Sequence, residues 1–257
     1  MYPPDLDLRA ILVCVDYSDI LAFTLPYNRH HFSEVLVVTT PWDYESQVYA
    51  QLNNCSWYAT ESFYDDGASF NKWKALEEGL DHICRHGWIV IMDADILWPK
   101  KILWQDFELE QGCIYTPMRR ERWQLSLPVP LQEDEWHRYP LHGNTTEWAG
   151  WTQIFHAEDP VLGNPPWHEV NWKHAGGADS FFQRKWSKEN KKRPPFEVLH
   201  LGECGRNWYG RTTNYLDGTT PIEKDHRLAQ LAAMRVARKA NRYHDDPFKD
   251  ERIGNGD

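Results

Sequence analysis

After a short polar start the chain carries an apolar, β-branched run at residues 11–15, which stops at Asp16-Tyr17-Ser18-Asp19. A run of this kind, bounded by polar residues, predicts a buried strand. Glu-Val-Leu-Val-Val-Thr-Thr at 34–40 predicts a second strand, ending in Pro41-Trp42-Asp43, and residues 57–63 give a weaker third. Residues 20–27 suit a short helix cut near Pro26, and Asp43 is placed to cap a helix running through Gln51. The strongest helical signal lies at 69–85. There Trp73, Leu76, Leu80, Ile83 and Cys84 fall on one face, with Lys72, Lys74, Glu77, Glu78 and Asp81 off it and Gly87 as the stop.

Residues 88–92 predict a fourth strand, which runs into Asp93-Ala94-Asp95. Residues 105–150 read as an irregular excursion rich in Pro, Trp and Arg. A strand at 151–156, a helix at 178–186 entered through Gly176-Gly177, a strand at 196–201 and an Ala-rich amphipathic helix at 222–243 complete the pattern. Short buried strands alternating with helices predict an α/β fold, with a mostly parallel central sheet covered on both faces. With no repeats and no flexible linker, the organisation expected is one domain over 1–218 and a C-terminal helix with a polar tail over 219–257.

The 257 residues are enough to close a core without disulfides or metals. Charged residues at 26% and aromatic residues at 14% exclude a disordered or collagen-like chain. The net charge of −10 argues against general nucleic-acid binding. Fourteen tryptophans suit either a Trp-rich core or ligands with flat faces. The longest apolar runs fall far short of a membrane span, and the opening Met1-Tyr2-Pro3-Pro4-Asp5 has no signal-peptide pattern. Five cysteines without Cys-x-x-Cys spacing fit reduced thiols and a cytoplasmic protein.

Candidate chemistry gathers where strands end. Asp16 and Asp19, Asp43, and Asp93 with Asp95 each follow a predicted strand, and open α/β sheets bind ligands at that end. Two carboxylates directly after a strand can hold a hard divalent cation that also bridges phosphate oxygens. A second Asp-x-Asp, Asp5-Leu6-Asp7, lacks that context and is assigned no function. No phosphate-binding Gly-x-x-x-x-Gly-Lys-Ser/Thr loop, no Gly-x-Gly-x-x-Gly after the first strand and no Gly-x-Ser-x-Gly elbow is present. His168-Glu169 lacks the second His of a zinc-protease helix.

Taken together, the segments at 11–19, 35–43, 70–80 and 88–96, Gly176-Gly177-Ala178-Asp179-Ser180-Phe181-Phe182, His200-Leu201-Gly202 and Asn207-Trp208-Tyr209-Gly210-Arg211 resemble GT-A-fold nucleotide-diphospho-sugar glycosyltransferases. The likeness is to the large inverting family that includes cellulose and chitin synthases. It implies that Asp16, Tyr17 and Asp43 line a nucleoside pocket and that Asn71, Lys72 or Lys74 approaches the nucleotide or its phosphates. It also implies that Asp93 and Asp95 bind donor sugar and metal, and that His200 is a third metal ligand. Arg211 or Arg206 would clamp phosphate in a closing C-terminal loop. Asp179 would be the general base of an inverting transfer. The family pattern there is often Glu-Asp, where this chain has Ala178-Asp179, and an Asp179 that only bound acceptor would leave a retaining reaction open.

The resemblance implies a nucleotide-sugar donor, with UDP-sugar as the family default, and Mn²⁺ or Mg²⁺ as cofactor. It leaves the hydroxyl acceptor and the oligomeric state open. One acceptor considered is a hydroxymethylated pyrimidine in DNA. It is suggested by basic clusters at Arg119, Arg120 and Arg122 with Trp123, at Lys185, Lys188, Lys191, Lys192 and Arg193, and at Arg235, Arg238, Lys239 and Arg242. The alternatives are a nucleotidyltransferase and a non-catalytic sugar-binding protein on a related fold.

Overall fold

In the computed structural model the apolar runs become the middle of a twisted sheet flanked by helices. Residues 6–104, 107–122, 133–142, 151–202 and 207–211 are described. The first half runs β1 (Leu8–Val13), α1 (Ser18–Asn28), β2 (Glu34–Thr39), α2 (Tyr44–Leu52), β3 (Ser56–Ala59), α3 (Lys72–His82) and β4 (Trp88–Asp93). The second half holds β5 (Ile96–Leu97), β6 (Ile114–Tyr115), β7 (Met118–Arg122), β8 (Leu141–His142), β9 (Thr152–His156), α4 (Ala178–Phe182), β10 (Lys191–Lys192) and β11 (Glu197–Leu201).

Seven strands form one sheet in the order β10-β6-β9-β4-β1-β2-β3. β4, β1, β2 and β3 are mutually parallel, while β9 runs antiparallel to both β4 and β6. A second sheet has the order β5-β11-β7-β8. The chain passes from the large sheet to the small one through Ala94 and Asp95, between β4 and β5.

Strand periodicity divides the core in two. Ala10, Leu12, Val35, Val37, Val90 and Met92 face α1 and the small sheet, where Leu21, Leu25, Trp98 and Leu199 close the layer. Ile11, Val13, Leu36, Val38, Ile89 and Ile91 face α3, which returns Trp73, Leu76, Leu80 and Ile83. Cys84 leaves the predicted stripe. α3 ends at His82, and Cys84, at φ 57°, turns outward and is exposed. Cys14, Cys55, Cys84 and Cys113 are free thiols.

Four other expectations need correction. Pro26 lies inside α1, one turn from its end, instead of cutting it. The strand expected at 57–63 is β3 at Ser56–Ala59, followed by a 3-10 turn at Ser62–Gly67. The helix expected at 178–186 is shorter: α4 ends at Phe182 and continues as a 3-10 turn, Gln183–Lys185. The stretch read as irregular supplies β6, β7 and β8, strands too short or too charged to show as apolar runs. The helix expected at 222–243 and the boundary at 218 lie outside the described residues. Among the described residues no helix is long and apolar enough to cross a membrane.

α3 sits close to the sheet because Gly79 has no side chain. A Cβ there would lie 2.5 Å from Val38 Cγ2 and 2.9 Å from Ile11 Cδ1. Gly79→Ala should therefore destabilise the fold, because overpacking costs about 1–3 kcal/mol against a helical gain of about 1 kcal/mol. Thermal melting should show a lower Tm; a Tm at or above wild type would contradict this packing.

Candidate active site

The ends of β1 and β4 and the face of the small sheet enclose a cavity of about 320 Å³. Tyr17, Lys72, Asp93, Asp95, Asp179, His200 and Arg211 line it. Asp16, Asp43, Asn71 and Lys74 are not among its lining residues.

One carboxylate oxygen of Asp95 is fully buried. Its Oδ2 lies 3.6 Å from His200 Nε2 and 3.5 Å from the Tyr17 hydroxyl. Asp95 Oδ1 and His200 Nδ1 are buried with no hydrogen-bond partner among the described residues. Burial pushes the Asp95 carboxyl above the usual carboxylate range; His200 opposes this rise and Asp93 adds to it. Backbone bonds hold the turn, since Asp93 N–H donates to the Trp151 carbonyl at 3.0 Å and Leu201 N–H to the Asp95 carbonyl at 2.9 Å.

Asp93, two residues earlier, faces another partner. The Lys72 ammonium donates to its Oδ1 and lies 5.0 Å from the Trp73 ring centroid. Lys72 is buried at the first position of α3, so a cation stands beside the acidic pair. The sequence grouped Asp93, Asp95 and His200 as metal ligands. The fold brings Asp95 and His200 together and turns Asp93 toward Lys72, and among the described residues no group of three or more His, Cys, Asp or Glu is spaced to hold a metal alone. Asp95 and His200 could hold a cation as a two-ligand set, because among the described residues no donor reaches the buried Asp95 Oδ1.

The expected nucleoside and phosphate residues divide by position. Asp43 caps α2, accepting from Ser46 N–H at 3.2 Å and Ser46 Oγ at 2.8 Å, and also takes the Asp16 N–H at 2.8 Å. Burial, aided by nearby Asp16, raises its pKa. Asp16 itself has φ 56°, a backbone state that Asp tolerates better than most residues. Asn71 caps α3 through Lys74 N–H at 3.1 Å and donates to the Val170 carbonyl at 2.7 Å. Lys74 reaches Asp65 at 2.7 Å on the surface, away from the cavity.

Arg211 makes a forked pair with Asp19, at 2.6 and 2.5 Å, and donates to the Asp16 carbonyl at 2.8 Å. Its guanidinium lies 5.0 Å from the Tyr17 ring centroid, and Asn207 donates to the Tyr17 hydroxyl. The 207–211 segment is thus strapped to the start of α1. Arg206 lies outside the described residues.

Asp179 stands in the first turn of α4, behind Gly177 at φ 94°. Gln153 Nε2 donates to the Asp179 carbonyl at 3.3 Å, and Trp73 Nε1 donates to the Ala175 carbonyl at 2.9 Å. A buried network lies behind it. Glu77 accepts from His168 Nδ1 at 2.5 Å and pairs with Arg85 at 2.9 Å. The His168 ring stacks between Trp73 and Phe182, with centroids 4.9 and 3.9 Å away. His168, read from the sequence only against a zinc-protease pattern, is therefore a packed core histidine whose burial lowers its pKa.

Sequence reasoning gave no role to His142 or Trp151, placed Arg119 only in a basic cluster and Trp208 only in a matching segment; all four line the cavity. Arg119 pairs with Glu121 at 2.8 Å and lies 4.1 Å from the Trp151 ring centroid. The available signal was the alternation of Arg119 and Glu121, which puts both on one face of β7. The first basic cluster is engaged by groups of its own chain. Arg120 pairs with Glu197 at 2.5 Å, and Arg122 is buried near Tyr139. In the second cluster Lys192 pairs with Glu110 at 2.6 Å and Arg193 donates to the Thr116 carbonyl at 2.9 Å. Trp123 and the third cluster lie outside the described residues.

No protein-family model matches this chain, and no curated protein matches it in sequence. Solved structures do. A mannosyl-3-phosphoglycerate synthase from Rubrobacter xylanophilus is 12% identical and superposes with a TM-score of 0.51, covering 93% of this chain and 75% of that one. A glucosyl-3-phosphoglycerate synthase from Mycobacterium tuberculosis, in complex with Mn²⁺, UDP and glucosyl-3-phosphoglycerate, is 11% identical with a TM-score of 0.46, over 91% and 80%. A mycobacterial protein is 12% identical with a TM-score of 0.46; this chain covers 66% of its length, with 77% of this chain matched. At 12% identity the first likeness is one of architecture, and this chain has the GT-A fold that its sequence led us to expect.

Proposed function

We propose that the cavity is the active site of a glycosyltransferase that moves a sugar from a nucleoside diphosphate, UDP first among the bases, to a hydroxyl acceptor with inversion. The observation that carries this reading is the meeting of Asp93, Asp95, His200, Lys72 and Asp179 around one cavity at the strand ends of a GT-A fold. The fold shared with a mannosyl-3-phosphoglycerate synthase supports the reaction class.

Asp95 and His200 would hold Mn²⁺ or Mg²⁺, which supplies charge neutralisation to a departing diphosphate. Two protein ligands suit a hard cation that takes its other oxygens from water and phosphate. Lys72 brings a second positive charge to the same end and orients Asp93 toward the donor. Tyr17 and the Arg211 strap bound the donor side. Asp179, fixed through Gln153 and the Phe182 stack, accepts the proton of the acceptor hydroxyl. The hydroxyl oxygen bonds to the anomeric carbon as the bond from that carbon to the diphosphate oxygen breaks on the opposite face.

Two variants test the reading. Asp95→Asn removes a carboxyl whose folded pKa is raised. Such a group favours folding most below the ordinary carboxylate pKa, and that advantage is lost as pH rises through the folded value. At neutral pH the Asn variant should thus melt no lower than wild type. In thermal-shift panels of nucleoside diphosphates and their sugars with Mn²⁺, wild type should gain about 2.7 kcal/mol at a hundred times Kd, several degrees in Tm, and Asp95→Asn should gain nothing. A flat wild-type panel, or stabilisation by triphosphates alone, would sink the transferase reading. Asp179→Asn should bind the same nucleotide normally and lose about 10²–10⁴-fold in transfer rate. Unchanged turnover would remove Asp179 as the base.

A further inference from the structure

Behind Asp179 lies a buried charged group that the transfer step leaves unused. Glu77, on the second turn of α3, pairs with Arg85 at 2.9 Å, and both side chains are largely shielded from water. A carboxylate buried in this way is costly unless donors surround it. Two of its donors come from one residue. Glu77 Oε1 accepts the His168 backbone N–H at 2.8 Å and the ring Nδ1–H at 2.5 Å. Held at backbone and ring together, the imidazole has one orientation. A proton on Nδ1 leaves Nε2 bare, and Nε2 is buried with no hydrogen-bond partner among the described residues.

The ring then serves as a slab between two helices. Trp73 of α3 stacks on it at 25°, and Phe182 of α4 stacks on it at 23°. Phe155 and Trp186 meet Phe182 edge-on, each at 5.2 Å, so His168 is the ring against its face. Phe182 stands three residues after Asp179, a spacing that makes the two neighbours on a helix surface. α4 cannot hold its own position. It is five residues long, too short to be stable alone. Gly177, its N-cap, offers no side chain to the first turn. The segment ahead of it hangs on α3 as well, since Asn71 donates to the Val170 carbonyl at 2.7 Å and Trp73 to the Ala175 carbonyl at 2.9 Å.

We propose that His168 is a positioning residue for the transfer step: its ring, aimed by Glu77 and backed by Trp73, fixes where Phe182 seats α4 and so where Asp179 meets the acceptor hydroxyl. The role rests on the glycosyltransferase reading above and adds to it a residue that is not among those lining the cavity. A misplacement of about 1 Å from a change outside the reacting groups costs about 10²-fold in rate. Asp95 and the Arg211 strap are held by other bonds, from Leu201 and to Asp19, so a change at His168 reaches the base and leaves the donor side in place.

The test compares His168→Ala, His168→Phe and Phe182→Leu with wild type, all as the full chain. Each protein is given UDP-glucose, UDP-galactose and UDP-N-acetylglucosamine in turn with Mn²⁺, and released UDP is measured. Water is the acceptor: its oxygen bonds to the anomeric carbon as the bond to the diphosphate oxygen breaks, and its proton passes to Asp179. Thermal shift with UDP and Mn²⁺ is read in parallel. In His168→Ala and Phe182→Leu, kcat should fall about 10²-fold, while the donor KM and the stabilisation by UDP match wild type. His168→Phe restores a flat ring and should regain most of the loss. If His168→Ala does not fold, Phe182→Leu decides. An unchanged kcat in the folded variants overturns the proposal, as does a His168→Phe no better than a folded His168→Ala. A fall in kcat accompanied by loss of UDP stabilisation also overturns it, because that marks a loosened site and not a displaced base. A wild type that releases no UDP from any of the three donors instead counts against the underlying transferase reading, so the two failures are distinct.

Discussion

Asp95 occupies the seam between the two sheets, where the chain leaves β4 and enters β5. A carboxylate buried there is costly unless something compensates its charge. His200 compensates in part from the small sheet, and burial still raises the Asp95 pKa. The seam cannot open to relieve that cost, because backbone hydrogen bonds from Asp93 to Trp151 and from Leu201 to Asp95 close it on both sides. The site is thus a local conflict, held by a fold whose two core layers are apolar and well packed. Such conflicts gather where a protein binds or reacts.

Around that seam the charges are arranged in opposed pairs. Lys72 meets Asp93, Arg211 meets Asp19, and Arg119 meets Glu121. Each of the cations lining the cavity, Lys72, Arg119 and Arg211, is thus matched by a carboxylate of the chain.

The tryptophans divide by environment. Trp98 and Trp104 fill the layer under the small sheet, Trp73 and Trp186 fill the layer under α3 and α4, and Arg119 covers Trp151. Trp73 does two jobs through its neighbours. Its ring stacks on His168, and its N–H holds the Ala175 carbonyl in the segment ahead of Asp179. The helix that begins with Lys72 is in this way coupled to the helix that begins beside Asp179.

How much was legible in the sequence follows from the range of each interaction. β-branched runs at 11–15, 34–40 and 88–92 and the stripe through Trp73, Leu76 and Leu80 specified the parallel strands and α3, since backbone sterics and side-chain periodicity act over a few residues. The acids at those strand ends were legible for the same reason. The small sheet was not, because β5 and β8 are two residues long and β7 reads Met-Arg-Arg-Glu-Arg, a strand stabilised by pairing with β11 some eighty positions away. Nor could local pattern separate Lys72, which faces Asp93, from Lys74, which faces Asp65, or the open indole of Trp208 from the closed one of Trp98. The sequence by itself determined which residue types stand at the strand ends. Tertiary structure alone decided which of them share a cavity, because burial and opposed charge depend on segments that meet only after the chain has folded.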